Sequence, residues 1–250
     1  MPITVEIRDR VAEIVLDHPP VNALDSDGWM ELPDHIARAG ADPEVRCVLI
    51  RAIGRGFCGG VDIKEMQAHP ERITRLNQGN YLTFKAMRDC PVPVVSAIHG
   101  FAIGGGVNIA GASDIVIAAQ GAYLSLPEID RGAMGGASYL SRMAPPQKVR
   151  AVFFTGGRIS VEELHAYGSV QAVVPAERLL DEARALCAVI AAKSRKALVV
   201  AKEALNGLEA HDALKGYRWE QGFTLEMYMH EDSQKARDAF VADKGQAAKF

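Results

Sequence analysis

The chain has 250 residues, of which 48% are hydrophobic and 24% charged. This composition belongs to a folded protein of one or two domains and excludes a disordered chain, a collagen-like fibre and a coiled-coil rod. With 28 Lys and Arg against 31 Asp and Glu, the net charge is −3. No basic excess is available for nucleic acid or for an anionic membrane surface.

Cys47, Cys58, Cys90 and Cys187 stand too far apart for a zinc knuckle and are too few for a disulfide scaffold. They predict reduced thiols in a cytoplasmic protein with no metal site. The N-terminus lacks the cationic head and apolar run of a signal peptide.

In chain order, Val5–Ile7 and Val11–Leu16 predict two strands joined by a turn at Asp9-Arg10. Ser26 or Asp25 caps a helix running to about Ala39. Cys47–Ile50 reads as a buried strand, Gly54–Gly60 as a glycine-rich turn, and Asp62 to about Asp89 as helix. Pro91 to Ser113 contains no Asp, Glu, Lys or Arg, which is long enough to span a bilayer. Its two prolines and five glycines instead predict a strand over Val92–Ile98, a glycine turn, and a helix from Gly104 to about Ala112. Asp114–Ala118 is the next strand. The alternation argues for an α/β fold with parallel strands. Helical periods then dominate, at 138–155, 160–167, 176–192, 195–206 and 211–239, with one further strand at Val170–Val174. The expected organisation is an α/β core over residues 1–190 and a helical region over 191–250.

Three segments join glycine or proline to strand ends, where α/β proteins bind ligands. Arg55 to Asp62 is a glycine turn without dinucleotide or P-loop spacing. Its backbone N–H groups either bind a negative oxygen or merely close a turn. His99 to Asn108 sets Gly104-Gly105-Gly106 at a helix start, either to donate N–H groups to an oxyanion or to allow close helix–sheet packing. In Leu126 to Gly132, Pro127 precedes Glu128, which is either a desolvated general base or a surface acid paired with Arg131.

Together these segments resemble the crotonase superfamily, the enoyl-CoA hydratase/isomerase family, over nearly the whole chain. Gly56 to Met66 resembles the signature around the first oxyanion donor, His99 to Gly106 the second, Pro127-Glu128 the catalytic acid segment, and Pro19 to Leu24 the early loop against coenzyme A. The resemblance implies a ββα spiral core and a helical C-terminal oligomerisation region. It implies an enzyme acting on an acyl-CoA substrate, with coenzyme A part of that substrate and no separate cofactor. It aligns the thioester-oxygen donors with the N–H groups of Val61 and Gly105. It sets Pro20, Val21, Ala23, Gly59, Asp62 and Ile63 against coenzyme A. It also implies a homotrimer or a pair of trimers.

One departure bears on mechanism. The family's hydratases use two glutamates; Glu128 aligns with the second, but Asn108 stands where the first belongs. Asparagine orients water or substrate but transfers no proton at neutral pH. Hydration, isomerisation, decarboxylation and hydrolytic carbon–carbon cleavage all stay open, as does a non-catalytic CoA-binding role. A narrower resemblance, to crotonases of bacterial steroid breakdown that open a ring in a CoA thioester, rests on 60–67, 127–135, 140–142 and 217–224. If 128–130 is extended, Asp130 faces the same way as Glu128 and becomes a second catalytic carboxylate. Otherwise it pairs with a neighbouring arginine. Ser138 and Tyr139 either line the acyl pocket or pack a helix, and His99 is read as structural.

Overall fold

The computed structural model describes residues 3–242; residues 243–250 of the expected helical region lie outside them. Strands β1 (Ile3–Arg8) and β2 (Val11–Leu16) form an antiparallel hairpin. Asp9 and Arg10 turn it with φ of 48° and 67°, the paired left-handed conformation that matches strand twist. After β3 (Ala23–Leu24) comes α1 (Ser26–Ala41). Asp25 is its cap and accepts the Gly28 N–H at 2.7 Å, while the Ser26 hydroxyl donates to Glu65.

Next come β4 (Cys47–Ala52), β5 (Gly60–Val61), α2 (Ile63–Ala68) and α3 (Ile73–Asp89). The helix-prone stretch over 62–89 therefore holds two helices. Pro70 cannot continue the first, and a 3-10 turn at Pro70–Arg72 joins the two pieces. The chain continues through β6 (Val94–Ile98), β7 (Phe101–Ile103), α4 (Gly105–Ala112), β8 (Ile115–Ala119) and β9 (Tyr123–Ser125).

Helix α5 (Ala137–Leu140) and α6 (Pro146–Thr155) replace one expected helix, which the Pro145-Pro146 pair interrupts. Then follow β10 (Arg158–Ser160), α7 (Val161–Ala166), β11 (Ala172–Val174), α8 (Leu179–Ala191) and α9 (Arg195–Leu208). The expected 211–239 helix turns a corner at Met229-His230 between α10 (Ala213–Tyr228) and α11 (Glu231–Ala242).

The main sheet runs β1-β2-β4-β6-β8-β11 and is parallel from β2 onward. Short strands pair apart from it, as β10-β9-β7 and β3-β5. Each turn of chain thus gives one strand to the large sheet, one to a small sheet, then a helix: β2–β3–α1, β4–β5–α2, β6–β7–α4. Both faces of the large sheet are covered, which is why its strands read as unbroken apolar runs. Val48 and Ile50 face the core that includes Trp29, Phe84 and Ile98. Cys47 and Leu49, one residue out of phase, face Leu179, Ala183 and Cys187 of α8.

Candidate active site

The site begins in the loop before β3. Asn22 adopts φ of +54°, and its side chain ties three backbones together. It accepts the His18 N–H at 2.7 Å and donates to the carbonyls of Ile53 and Gly56, both at 2.8 Å. Gly59 donates to Val21 O at 2.8 Å, and a Cβ on Gly59 would lie 2.9 Å from that oxygen. Pro20, Val21 and Ala23 are thereby held against Gly59, Val61, Asp62 and Ile63, and all seven line one cavity of about 490 Å³. Asp62 also caps α2, accepting the N–H groups of Lys64 and Glu65 at 2.9 and 3.4 Å.

Two glycines bring the candidate donors together. Gly60 has φ of +85°, and a Cβ there would lie 2.7 Å from Ile103 O and 3.2 Å from Gly105 N. Val61 follows directly, so the start of β5 abuts the start of α4. Gly105 is the first residue of α4, where helical N–H groups have no intrahelical acceptor. Gly104 has φ of +54°, and its missing Cβ leaves room for Glu128 Oε1, which would lie 2.7 Å from that atom.

Glu128 opens a 3-10 turn, Glu128–Arg131, closed by Gly132 at φ of +66°. Its Oε2 is enclosed and has no hydrogen-bond partner. Burial pushes the carboxyl up to about 8; the nearby Glu220 carboxylate adds to this, while a backbone N–H and Arg131 oppose it. The group therefore holds its proton near neutrality. Asn108 is also buried at the cavity, and its Oδ1 has no partner.

Residues 128–130 are not extended, which was the condition for Asp130 to face the same way as Glu128. In the 3-10 turn, residues two apart point to different sides. Asp130 does not line the cavity: its Oδ2 lies 2.3 Å from where a Cβ on Gly156 would stand. It is not a second carboxylate beside Glu128. Tyr139 stacks with Phe84 and Tyr217 at centroid distances of 5.0 and 5.6 Å, and Ser138 donates its N–H to Glu220 at 3.1 Å; neither lines the cavity. His99 Nε2 contacts Gly54 O at 3.0 Å, a structural tie between two turns.

Sequence reasoning missed the contribution of the C-terminal helices. Tyr217, Thr224, Tyr228 and Phe240 close the cavity from α10 and α11, and Asn77 and Asn80 enter it from α3. The loop after Glu128 is bolted to the same helices. Ser233 Oγ donates to Gly132 O, Thr224 Oγ1 donates to Met134 O, and Glu220 accepts the Gly136 N–H at 3.1 Å. Amphipathic spacing marks a buried helix face without naming what it covers, so only the 217–224 motif signalled this. Arg131 also lines the cavity, with its guanidinium 4.1 Å above the Phe240 ring. Among the described residues, no group of three or more His, Cys, Asp or Glu is placed to hold a metal, and no helix is long and apolar enough to cross a membrane.

The enoyl-CoA hydratase/isomerase family model matches residues 6–248. A protein of Rhodococcus jostii named (7aS)-7a-methyl-1,5-dioxo-2,3,5,6,7,7a-hexahydro-1H-indene-carboxyl-CoA hydrolase is 43% identical, covering 93% of this chain and 91% of its own. Its namesake in Mycobacterium tuberculosis is 42% identical, covering 96% and 99%. An enoyl-CoA hydratase/isomerase structure from Xanthobacter autotrophicus superposes with a TM-score of 0.89 at 26% identity, over 97% of this chain and 94% of its own.

Proposed function

The chain belongs to the enoyl-CoA hydratase/isomerase (crotonase) family and is an enzyme of acyl-CoA thioesters; within that family we propose that it hydrolyses a carbon–carbon bond of a cyclic β-keto acyl-CoA. The observation that carries this is the carboxyl inventory of the cavity. Of the two carboxyls that line it among the described residues, Asp62 caps a helix, so Glu128 is left to move a proton, and position 108 holds an amide. The hydrolase names of the two relatives favour the same chemistry.

The proposed reaction needs one proton-transferring group. Glu128 takes a proton from water as its oxygen bonds to the β-carbonyl carbon. The bond between that carbon and Cα then breaks. Its electron pair passes into the thioester as an enolate, whose oxygen receives the N–H groups of Val61 and Gly105. Oxyanion donors of this kind are worth about 3–4 kcal/mol each. Glu128 returns the proton to Cα, leaving a carboxylic acid and an intact CoA thioester. Asn108 orients water or the ketone. Lys64 and Arg131 suit the phosphates of coenzyme A, which enters with the substrate and is not a separate cofactor.

The test compares crotonyl-CoA with a cyclic β-keto acyl-CoA in 18O-labelled water. We expect cleavage of the β-keto thioester with label in the new carboxylate, and crotonyl-CoA hydration at least about 100-fold slower. Fast hydration of crotonyl-CoA with the β-keto thioester left intact would overturn the reading.

The same reading includes a cytoplasmic homotrimer or pair of trimers. Support comes from exposed apolar residues in the C-terminal region, Leu208 at the end of α9 at 80% and Met229 at the corner between α10 and α11 at 91% exposure. Light scattering at three or six chain masses is the expected result, and a monomer at micromolar concentration would refute it.

A further inference from the structure

Helix α3 brings two amides to the cavity one turn apart, Asn77 and Asn80. They are 8% and 3% exposed. Asn77 Nδ2 and Asn80 Oδ1 are both buried and have no hydrogen-bond partner. Their positions are tightly held. Gly79, between them, lies so close to α1 that a Cβ would come 2.8 Å from Trp29 C, and Thr83 Oγ1 donates to Trp29 O at 3.3 Å. From the other side, Gln221 Nε2 donates to the main-chain carbonyl of Asn77 at 2.5 Å. Asn80 Oδ1 lies 3.5 Å from where a Cβ on Gly105 would stand, which sets it beside the candidate oxyanion donor.

A purely hydrocarbon acyl group leaves both buried amide atoms unpaired, whereas an oxygenated group pairs with them. A site built around such polar groups discriminates strongly against an analogue that lacks the matching oxygen. We propose that Asn77 and Asn80 are specificity-determining residues that read a polar oxygen of the acyl group other than the thioester oxygen. Asn77 donates to a ring carbonyl, and Asn80 accepts from a hydroxyl, an enol or a carbonyl-bound water. The substrate class is therefore an oxygenated carbocyclic acyl-CoA rather than a fatty acyl-CoA. This deepens the proposed function and rests on the same cavity.

The test measures binding, so that it does not depend on turnover. Three unreactive CoA thioethers are titrated calorimetrically, bearing a cyclohexanone ring, a cyclohexanol ring and a cyclohexane ring without the oxygen. We expect the wild-type protein to prefer the ketone and the alcohol over the hydrocarbon at least 10-fold, Asn77→Leu to bring the ketone ratio towards one, and Asn80→Leu to bring the alcohol ratio towards one. Asn77→Ser and Asn80→Ser replace any leucine variant whose circular dichroism is lost. A wild-type ratio near one, no binding of any thioether, or a preference that survives in its matching variant would each overturn the assignment. Cleavage of a β-keto thioester with a ratio near one removes the amide pair and leaves the hydrolase reading; the reverse pattern removes the hydrolase reading alone.

Discussion

Glu128 combines an enclosed carboxyl with a neighbour that cannot carry a side chain. Its pKa, pushed up to about 8 by burial, has two consequences. As a general base it gains activity as pH rises, so kcat/KM should climb through a limb near pH 8 that disappears in Glu128→Gln. That variant should lose about 10²–10⁴ in turnover yet bind CoA thioesters within a few-fold. For stability the sign is opposite. The unfolded chain gives up this proton near 4.5 and the folded chain near 8, so between those values the unfolded state binds fewer protons and stability falls as pH rises. Glu128→Gln should therefore raise unfolding stability at pH 8.5 by roughly 1–4 kcal/mol and by much less at pH 4.5. Chemical denaturation at the two pH values checks this; an equal effect at both contradicts it. Gly104→Ala places a methyl 2.7 Å from Glu128 Oε1, inside contact distance, and strains a residue at φ of +54°. It should cost about 1–2 kcal/mol of stability and, by displacing the acid, about 100-fold or more in kcat.

Helices α10 and α11 act on the site through one loop. Ser233, Thr224 and Glu220 each hold a backbone group between Gly132 and Gly136, the segment that follows the catalytic turn. Glu220 takes two N–H groups, those of Gly136 and Ser138, one on each oxygen. An amide offers only one accepting oxygen, so Glu220→Gln must leave one N–H unpaired or turn its own NH2 towards it. Hydrogen exchange over residues 133–138 should quicken in that variant, and kcat should fall about 10-fold while KM changes little. Unchanged exchange there would separate Glu220 from the loop.

Across the whole molecule, the helical region after residue 191 is joined to the core by a buried cation. Lys202 on α9 is 5% exposed, and its Nζ donates to Met87 O, Val92 O and Asp114 at 2.9, 3.2 and 2.7 Å. Asp114 in turn accepts the Val94 N–H at 2.7 Å, at the entry to β6. Lys202→Met keeps the volume but leaves two carbonyls and a carboxylate without their donor. Unfolding stability should drop by roughly 2–4 kcal/mol, the lower side of the range for a broken buried pair, because Asp114 keeps some solvent contact. Thermal unfolding measures it, and a loss below about 0.5 kcal/mol would mean that water replaces the ammonium.

Much of this was legible in the residues themselves. The apolar runs at Cys47–Ile50 and Val92–Ile98 mark buried parallel strands because both their faces must be covered. The glycines at 60 and 104 mark turns where backbone can approach a ligand, and Pro127 before Glu128 marks an acid on pinned backbone. These are local properties, set by sterics and short-range spacing. The sense of Asp130 was not local: whether 128–130 is extended or wound depends on Gly132 packing against Ser233, about a hundred residues away in the chain. Nor did helical spacing reveal that Asn77, Asn80 and Tyr228 share a cavity. A helix's buried face reads the same whether it meets a core or a substrate, and only the packing of α3, α10 and α11 around Glu128 decides which it meets.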